Sequence, residues 1–424
     1  MQEQRPDRNQ EKSENIDSGD RVSESDRNRD PFTGNVSSPH VQAGSFPRRG
    51  GTPFLNKAAI VAGVILMASL CLRFWAFSQD RQMTGPSHVA YNSGRVGVHM
   101  NDMIYLLDAD GMLLSEFGLD ALGLEGPLED LEILADGSLL IGDYASGKIW
   151  HCSAETLACR STGPDGPISI AANFKFVADE ERGLVFIGDT NNHRLLVQDL
   201  DGKNPRLVRG SLSYPNDMFV QHDGRLLLAD TFHYKILTLD YRDDMITEAG
   251  EPILFSDFNL RSMADLFRQQ PGNEEEMKRQ IETLSDEMRD FKLNRPMAMV
   301  RDHNGMLWVA SGSEAFMFGA EVRLYDRKGE FVSRFGQDIS ACPEDIIRKK
   351  DKILVADTKM YKVFEVDPET YIFNEFGQDR FREILAEEMG WKRMYGFLTR
   401  WSFRFMFLAA GLLLVIYFLS RKKG

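Results

Sequence analysis

The 424-residue chain has only four cysteines, Cys71, Cys152, Cys159 and Cys342, and no two form a CxxC pair. That spacing excludes a zinc ribbon and a thioredoxin-like redox centre. Cations are also in short supply: 50 Lys and Arg against 64 Asp and Glu leave a formal net charge of -14. Nucleic-acid binding needs clustered cations to neutralise phosphates, so the composition argues against a nucleic-acid partner. No GxSxG elbow, Walker loop or HExxH motif occurs, which removes the best-known hydrolase, NTPase and metalloprotease signatures. Aromatics are nearly missing from residues 1–53, where Phe32 and Phe46 stand alone among Asp, Arg, Asn, Ser, Gln and Glu. Such a stretch buries too little apolar surface to offset its ordering entropy. It predicts a disordered cytoplasmic tail.

What is present begins with two apolar runs. Residues 58–77 are broken only by Arg73, and residues 401–420 only by Arg404. About 20 apolar residues cross the hydrocarbon core as a helix. Each Arg lies near the span end closer to mid-chain, beside Trp75 or Trp401, where it can snorkel within an aromatic belt. Both runs are predicted transmembrane helices, anchoring the chain in the lipid bilayer. The first starts too deep, and lacks a following small-x-small site, to read as a cleaved signal. Arg48, Arg49 and Lys57 precede the first span, and Arg421, Lys422 and Lys423 follow the second. The positive-inside rule then places both termini in the cytoplasm. The region between lies outside, in the periplasm if the membrane is a bacterial inner one. Lys392, Arg393 and Arg400 on the other flank of the second span pull against this.

That region repeats. SLLIGDYASGKIWH (138–151), LVFIGDTNNHRLLV (184–197), RLLLADTFHYKILT (225–238), MLWVASGSEAFMFGAEVRLY (306–325) and KILVADTKMYKVFE (352–365) share one pattern. An apolar run ends in a small residue and usually Asp; a polar turn and a second apolar run follow. Asp143, Asp189, Asp230, Ser311 and Asp357 mark the slot, at spacings of 46, 41, 81 and 46. Four short strands per 40-odd residues is the signature of propeller blades. With a partial unit at 95–118, whose innermost strand residues 84–92 can supply, six blades result. The predicted fold is an all-β, six-bladed β-propeller over 84–377.

The stretch DTNNHRLLVQDLDG (189–202), with weaker versions at 230–240 and 357–367, resembles the NHL-repeat propellers. Members of that family are chiefly binding scaffolds. The resemblance therefore implies a protein- or glycan-binding role without a cofactor.

A long insertion falls at 256–294. Met277, Ile281, Leu284, Met288 and Phe291 form one helical stripe there, predicting a helical hairpin. Residues 379–400 predict an amphipathic juxtamembrane helix, whose apolar face (Phe381, Ile384, Leu385, Met389, Trp391) suits either the membrane interface or the propeller rim. Propeller geometry puts the Asp-Thr turns, the insertion and the exit toward the second span on one face. On that face Asn192, His193, His233, Tyr234, Phe316, Phe318 and Tyr361 are the candidate binding residues. The recurring Asp143, Asp189, Asp230 and Asp357 read as structural, because side chains of this type bond to backbone in turns. His193 and His233 offer two metal ligands and no third, short of a zinc site.

A second resemblance, to gluconolactonase-like and strictosidine-synthase-like propellers, lies at GPLEDLEILADG (126–137) and PNDMFVQHDG (215–224). It implies Glu129 and Asn216 as calcium ligands and a calcium-dependent hydrolase or lyase as the alternative function. Met297 occupies the slot where those lactonases carry an acidic residue. Finally, WHCSAETLACRS (150–161) reads as a hairpin that sets Cys152 opposite Cys159. That pairing predicts a disulfide in an oxidising compartment. The leading reading is a membrane-anchored scaffold for a membrane protein or glycan partner.

Overall fold

A computed structural model describes residues 53–422, apart from 125, 164–167, 234, 243–244, 255–295, 312–320 and 336–341. The tail 1–53 up to residue 52, the insertion, Tyr234, Phe316 and Phe318 thus lie outside the described residues. The chain is a six-bladed β-propeller. Each blade is an antiparallel meander, contiguous in sequence, whose four strands run in order from the axis outward. Blade one spans 86–118, blade two 128–161, blade three 175–209, blade four 215–254 with an added two-residue strand, blade five 296–335 and blade six 343–375. The innermost strand of blade one is Pro86–Asn92.

The second strands explain why this sequence folds so. Leu139–Asp143 and Leu226–Asp230 are buried at every position, because a middle strand has blades packed on both of its faces. Side chains alternate across the sheet, so the two faces of each blade feed two different inter-blade cores. Ile141 packs in the core shared with blade one, and Leu140 in the core shared with blade three. Continuous apolar runs, rather than alternating ones, follow from this. The predicted hairpin also forms: Cys152 and Cys159 are directly opposed and joined by a disulfide with an S–S distance of 2.00 Å.

Two faces need names. The turns between second and third strands define the turn face; those between first and second, and third and fourth, define the far face. Among the described residues, no strand is exchanged between blade six and blade one, so the ring has a seam. A helix fills it. Helix α1 is Pro53–Gln82 and helix α2 is Asp379–Lys422. On α2, Phe381, Ile384 and Leu385 are 0 %, 7 % and 1 % exposed, and they share one core with Tyr105 and Leu107 of blade one and Leu354 and Val363 of blade six. The i, i+3, i+4 spacing puts all three on one side of the helix. Burying each contributes about 1.5–3 kcal/mol. Trp391 is half-exposed and stacks on Tyr395 instead.

Two expectations change here. The last strand of blade six has only three residues, Phe373–Glu375, so the chain does not leave on the turn face. Gln378 N–H donates to Gly111 O at 2.8 Å in a far-face turn. Helix α2 then descends the seam until Asn101 in a turn-face loop donates to Glu388 at 3.0 Å. The approach is close: a Cβ on Gly111 would lie 2.6 Å from the Gly377 Cα. Moreover, the juxtamembrane segment and the second apolar run are one unbroken helix of 44 residues.

Below the turn face, α1 and α2 pair antiparallel. Asp80 meets Lys392 at 3.4 Å, Trp75 meets Tyr395 and Arg73 lies over Phe403. Their buried contact positions recur every seven residues: Ala62, Ser69 and Ala76 face Ser402, Ala409 and Ile416. A seven-residue repeat is the seam of left-handed helix pairing, and small residues allow close approach. Both helices are long and apolar enough to cross a membrane.

Candidate functional site

The Asp-Thr turns are spent on architecture. Asp189 is fully buried and accepts from Ala171 N (3.0 Å), Asn192 Nδ2 (2.9 Å) and Arg194 Nε (2.7 Å). Asp230 accepts from Ser213 N (2.6 Å) and contacts His233 Nδ1 (2.8 Å). Asp357 accepts from Cys342 N (3.1 Å) and Met360 N (2.8 Å), and Asp143 from Ser146 Oγ (2.5 Å). Each carboxylate thus caps its own turn, and Asp189, Asp230 and Asp357 also tie back the loop entering their blade. The threonines reach onward: Thr190 Oγ1 donates to Pro215 O (2.7 Å) and Thr231 Oγ1 to Pro296 O (2.8 Å), both at the start of the next blade.

The candidate binding residues fare differently. Asn192 is bonded to Asp189. His193 adopts a left-handed φ of 55°, and its Nδ1 accepts from Tyr214 N at 3.2 Å. His233 is bonded to Asp230. Tyr361 is 4 % exposed and packs in the α2 seam, so it offers no surface to a partner. Its side chain is apolar enough to serve the ring closure, and the position next to blade one decides that use.

The axis holds what the motif reading missed. One position of each innermost strand stands opposite the residue before the turn slot, which holds Asp in four blades, Met100 in blade one and Ser311 in blade five: His88, Asp130, Lys175, Asp217, Ala298 and Asp345. Three are carboxylates, in alternate blades, and each grips the next blade. Asp130 accepts from Phe176 N (2.8 Å), Asp217 from Met299 N (2.6 Å) and Asp345 from Val89 N (2.8 Å). Two residues on, Glu132 accepts from Ala178 N (2.9 Å). These latches line a cavity of about 280 Å³ that runs toward Asn92, Glu180 and Arg348 at the far face.

Lys175 balances part of this charge. Its Nζ lies 3.9 Å from Asp130 and donates to Glu129 O and His88 Nε2 at 2.5 Å each. With that nitrogen accepting, His88 Nδ1–H donates to Ser87 Oγ (3.0 Å), and Ser87 in turn to His99 Nδ1 (2.8 Å). Burial pushes Asp130, Glu132 and Asp217 above the usual carboxylate range, and Asp345 up to about 6; like charges across the axis add to Glu132 and Asp217. Burial also lowers His88 well below its ordinary value and His99 to about 4. A signal for the latches exists in Leu128-Glu-Asp, Pro215-Asn-Asp and Pro343-Glu-Asp. Glu129 and Asn216, the calcium ligands that the gluconolactonase-like resemblance implies, immediately precede two of these three acids.

Calcium does not fit well. Asn216 is buried, but its amide donates to Met297 O at 2.8 Å. Burial raises the Glu129 pKa, and the Lys175 ammonium, which lowers it, supplies a positive charge beside it. Among the described residues, no group of three or more His, Cys, Asp or Glu is placed to hold a metal ion.

No protein-family model matches the chain, and no curated protein matches it. Solved structures do. A catalytically inactive virginiamycin B lyase from Staphylococcus aureus, with quinupristin, is 16% identical at TM-score 0.45, over 70% of this chain and 85% of that one. A putative gluconolactonase is 10% identical at TM-score 0.47, over 70% and 91%. A chain of a nidogen/laminin complex is 11% identical at TM-score 0.45, over 70% and 94%. At these identities the likeness is one of fold.

Proposed function

We propose that this protein is a membrane-anchored binding module whose extracytoplasmic propeller engages a protein or glycan partner and so scaffolds a membrane complex. One observation carries the reading. Helix α2 staples the ring at Phe381, Ile384 and Leu385, then continues without a break into the apolar run beside α1. A propeller held this way is presented to the membrane in one orientation. The turn face looks toward the bilayer, with Trp401 about 20 Å beyond Glu388 at 1.5 Å per residue. The far face, with the open end of the axial cavity, looks away. The turn-face aspartates Asp143, Asp189, Asp230 and Asp357 are consumed within the blades, which favours the far face as the surface that meets a partner.

The topology is testable by single-cysteine labelling in intact cells with a membrane-impermeant maleimide. Ser93→Cys, on an exposed far-face turn, labels from outside, whereas Ser13→Cys in the tail labels only after permeabilisation. The reverse pattern, or no labelling at Ser93→Cys in a folded protein, sinks the reading. Stoichiometric calcium in the purified chain, lost in Asn216→Ala, would instead support the hydrolase or lyase alternative.

A further inference from the structure

A groove of about 420 Å³ lies on the far face of blade two, between its first-to-second and third-to-fourth turns. Its polar lining includes Arg95 from blade one together with Asp136, Ser138, His151, Glu155 and Arg160. We propose that this groove binds an acidic sugar, with Arg95 and Arg160 on its carboxylate and Asp136 and Glu155 on its ring hydroxyls. The proposal rests on the reading of the propeller as a binding module, and it names the ligand class.

The arginines are the first reason. In this acidic propeller most arginines are already engaged: Arg182 pairs with Asp179, Arg194 with Asp189, Arg225 with Asp223 and Arg323 with Glu321. In a second groove, at blades four and five, Arg301 donates to Gln221 Oε1 and Gly305 O, and Arg327 donates to Asn304 O. Among the described residues, Arg95 and Arg160 have no carboxylate partner. A guanidinium binds a carboxylate through two parallel N–H bonds and is less hydrated than an ammonium, so it suits such recognition.

The second reason is a directed chain of bonds. Arg160 Nη2 donates to His151 Nδ1 at 3.0 Å, so that nitrogen carries no proton. His151 Nε2–H therefore donates to Ser138 Oγ at 2.6 Å, and the Ser138 hydroxyl donates to Asp136 Oδ1 at 2.5 Å. The serine proton goes to Asp136 and not to the imidazole. The Ser–His contact thus lacks the arrangement of a nucleophile and its base, and the groove holds a ligand without cleaving it. Burial and Arg160 both hold the His151 pKa down, which keeps the ring neutral and the direction of the chain intact.

The third reason is rigidity. The Cys152–Cys159 disulfide closes the hairpin immediately before Arg160. Gly137 has a φ of 84°, and a Cβ there would come within 3.2 Å of Arg95 Nη1. The turn therefore leaves a place for that guanidinium that another residue would crowd. Side chains placed in advance lose less entropy on binding. A groove that sets guanidinium donors without a carboxylate partner beside carboxylate acceptors matches an acidic sugar better than an inorganic anion, which has no hydroxyl donors for Asp136 and Glu155.

The test titrates trigalacturonate into the full chain in nanodiscs, with the neutral galactose trisaccharide and a sulfated galactose as comparison arms. Trigalacturonate binds, more weakly as salt rises, and the neutral sugar does not. Arg95→Gln and Arg160→Gln each weaken binding roughly 10-fold or more, the size of a lost charged hydrogen bond, at unchanged melting temperature. Arg160→Lys retains part of it. No binding, or undiminished binding in both glutamine variants, overturns the proposal. Preference for the sulfated sugar overturns the carboxylate assignment. The maleimide labelling is a separate readout, so loss of the sugar site leaves the membrane-anchored module standing, and a reversed topology leaves the sugar site standing.

Discussion

Asp345 and Val89 are 256 positions apart, yet Asp345 Oδ2 accepts the Val89 N–H at 2.8 Å and joins the last blade to the first at the axis. On the outer side of the same seam, Phe381 of α2 packs fully buried. The ring is therefore closed at both radii by side chains, where no shared strand does it.

Asp345→Ala removes the inner closure and leaves the Val89 N–H without its partner, which costs about 1–3 kcal/mol. Asp345→Asn keeps a carbonyl acceptor and removes a charge that burial disfavours, so it should be close to neutral. Denaturant melts of both variants in detergent check this. Equal loss in the two would mean that charge, not the hydrogen bond, does the closing.

Phe381→Ala empties the outer seam and costs about 3–5 kcal/mol, the usual range for a buried aromatic truncated in a core. Glu387→Ala, exposed on the same helix, should change stability by less than about 0.5 kcal/mol. Limited proteolysis should open the Phe381→Ala chain between blades six and one first. Unchanged stability would show that α2 merely lies alongside the ring.

Buried acids and buried histidines at the axis should act on stability in opposite directions as pH changes. Asp345 has its folded pKa raised to about 6, above the roughly 3.9 of an unfolded Asp. Its folded form holds a proton that the unfolded chain sheds, so stability is lost as pH rises through that window. Asp130, Glu132 and Asp217 act in the same direction. His99, lowered to about 4, and His88 act oppositely: their neutral burial is lost as pH falls below about 6.5. Between about pH 4 and 6.5 the acids and the histidines therefore pull melting temperature in opposite directions, and Asp217→Asn should remove part of the loss on raising pH while leaving the loss on lowering pH in place. A pH profile unchanged by Asp217→Asn would contradict the axial assignment.

Replacing Cys152 and Cys159 by serine opens a seven-residue separation and should cost about 2–3 kcal/mol by loop entropy. Non-reducing mass analysis of the untreated chain should show two fewer protons than after reduction, and thermal melts measure the cost. Equal melting with and without reductant would assign the bond no stabilising part.

Part of this was legible in the chain. The five Asp-slot segments predict blades because a second strand is apolar throughout, and that is a local pattern. Cys152 and Cys159 were legible because a short hairpin fixes its own register. The axial carboxylates were harder. Asp130, Asp217 and Asp345 look like ordinary strand-edge acids until six strands bring them round one axis. Tyr361 was misplaced for a related reason: its turn resembles those of blades two to four, but it borders the α2 seam.

The sequence by itself determined the strand pattern within each blade, the two apolar runs and the disulfide hairpin, since each depends on residues within some twenty positions of one another. Only the tertiary structure decided which acids meet at the axis, that a helix rather than a strand closes the ring, and that Arg95 of blade one borders a groove of blade two. Those outcomes rest on contacts between residues tens to hundreds of positions apart, where hydrophobic burial selects the neighbour and periodicity carries no information about it.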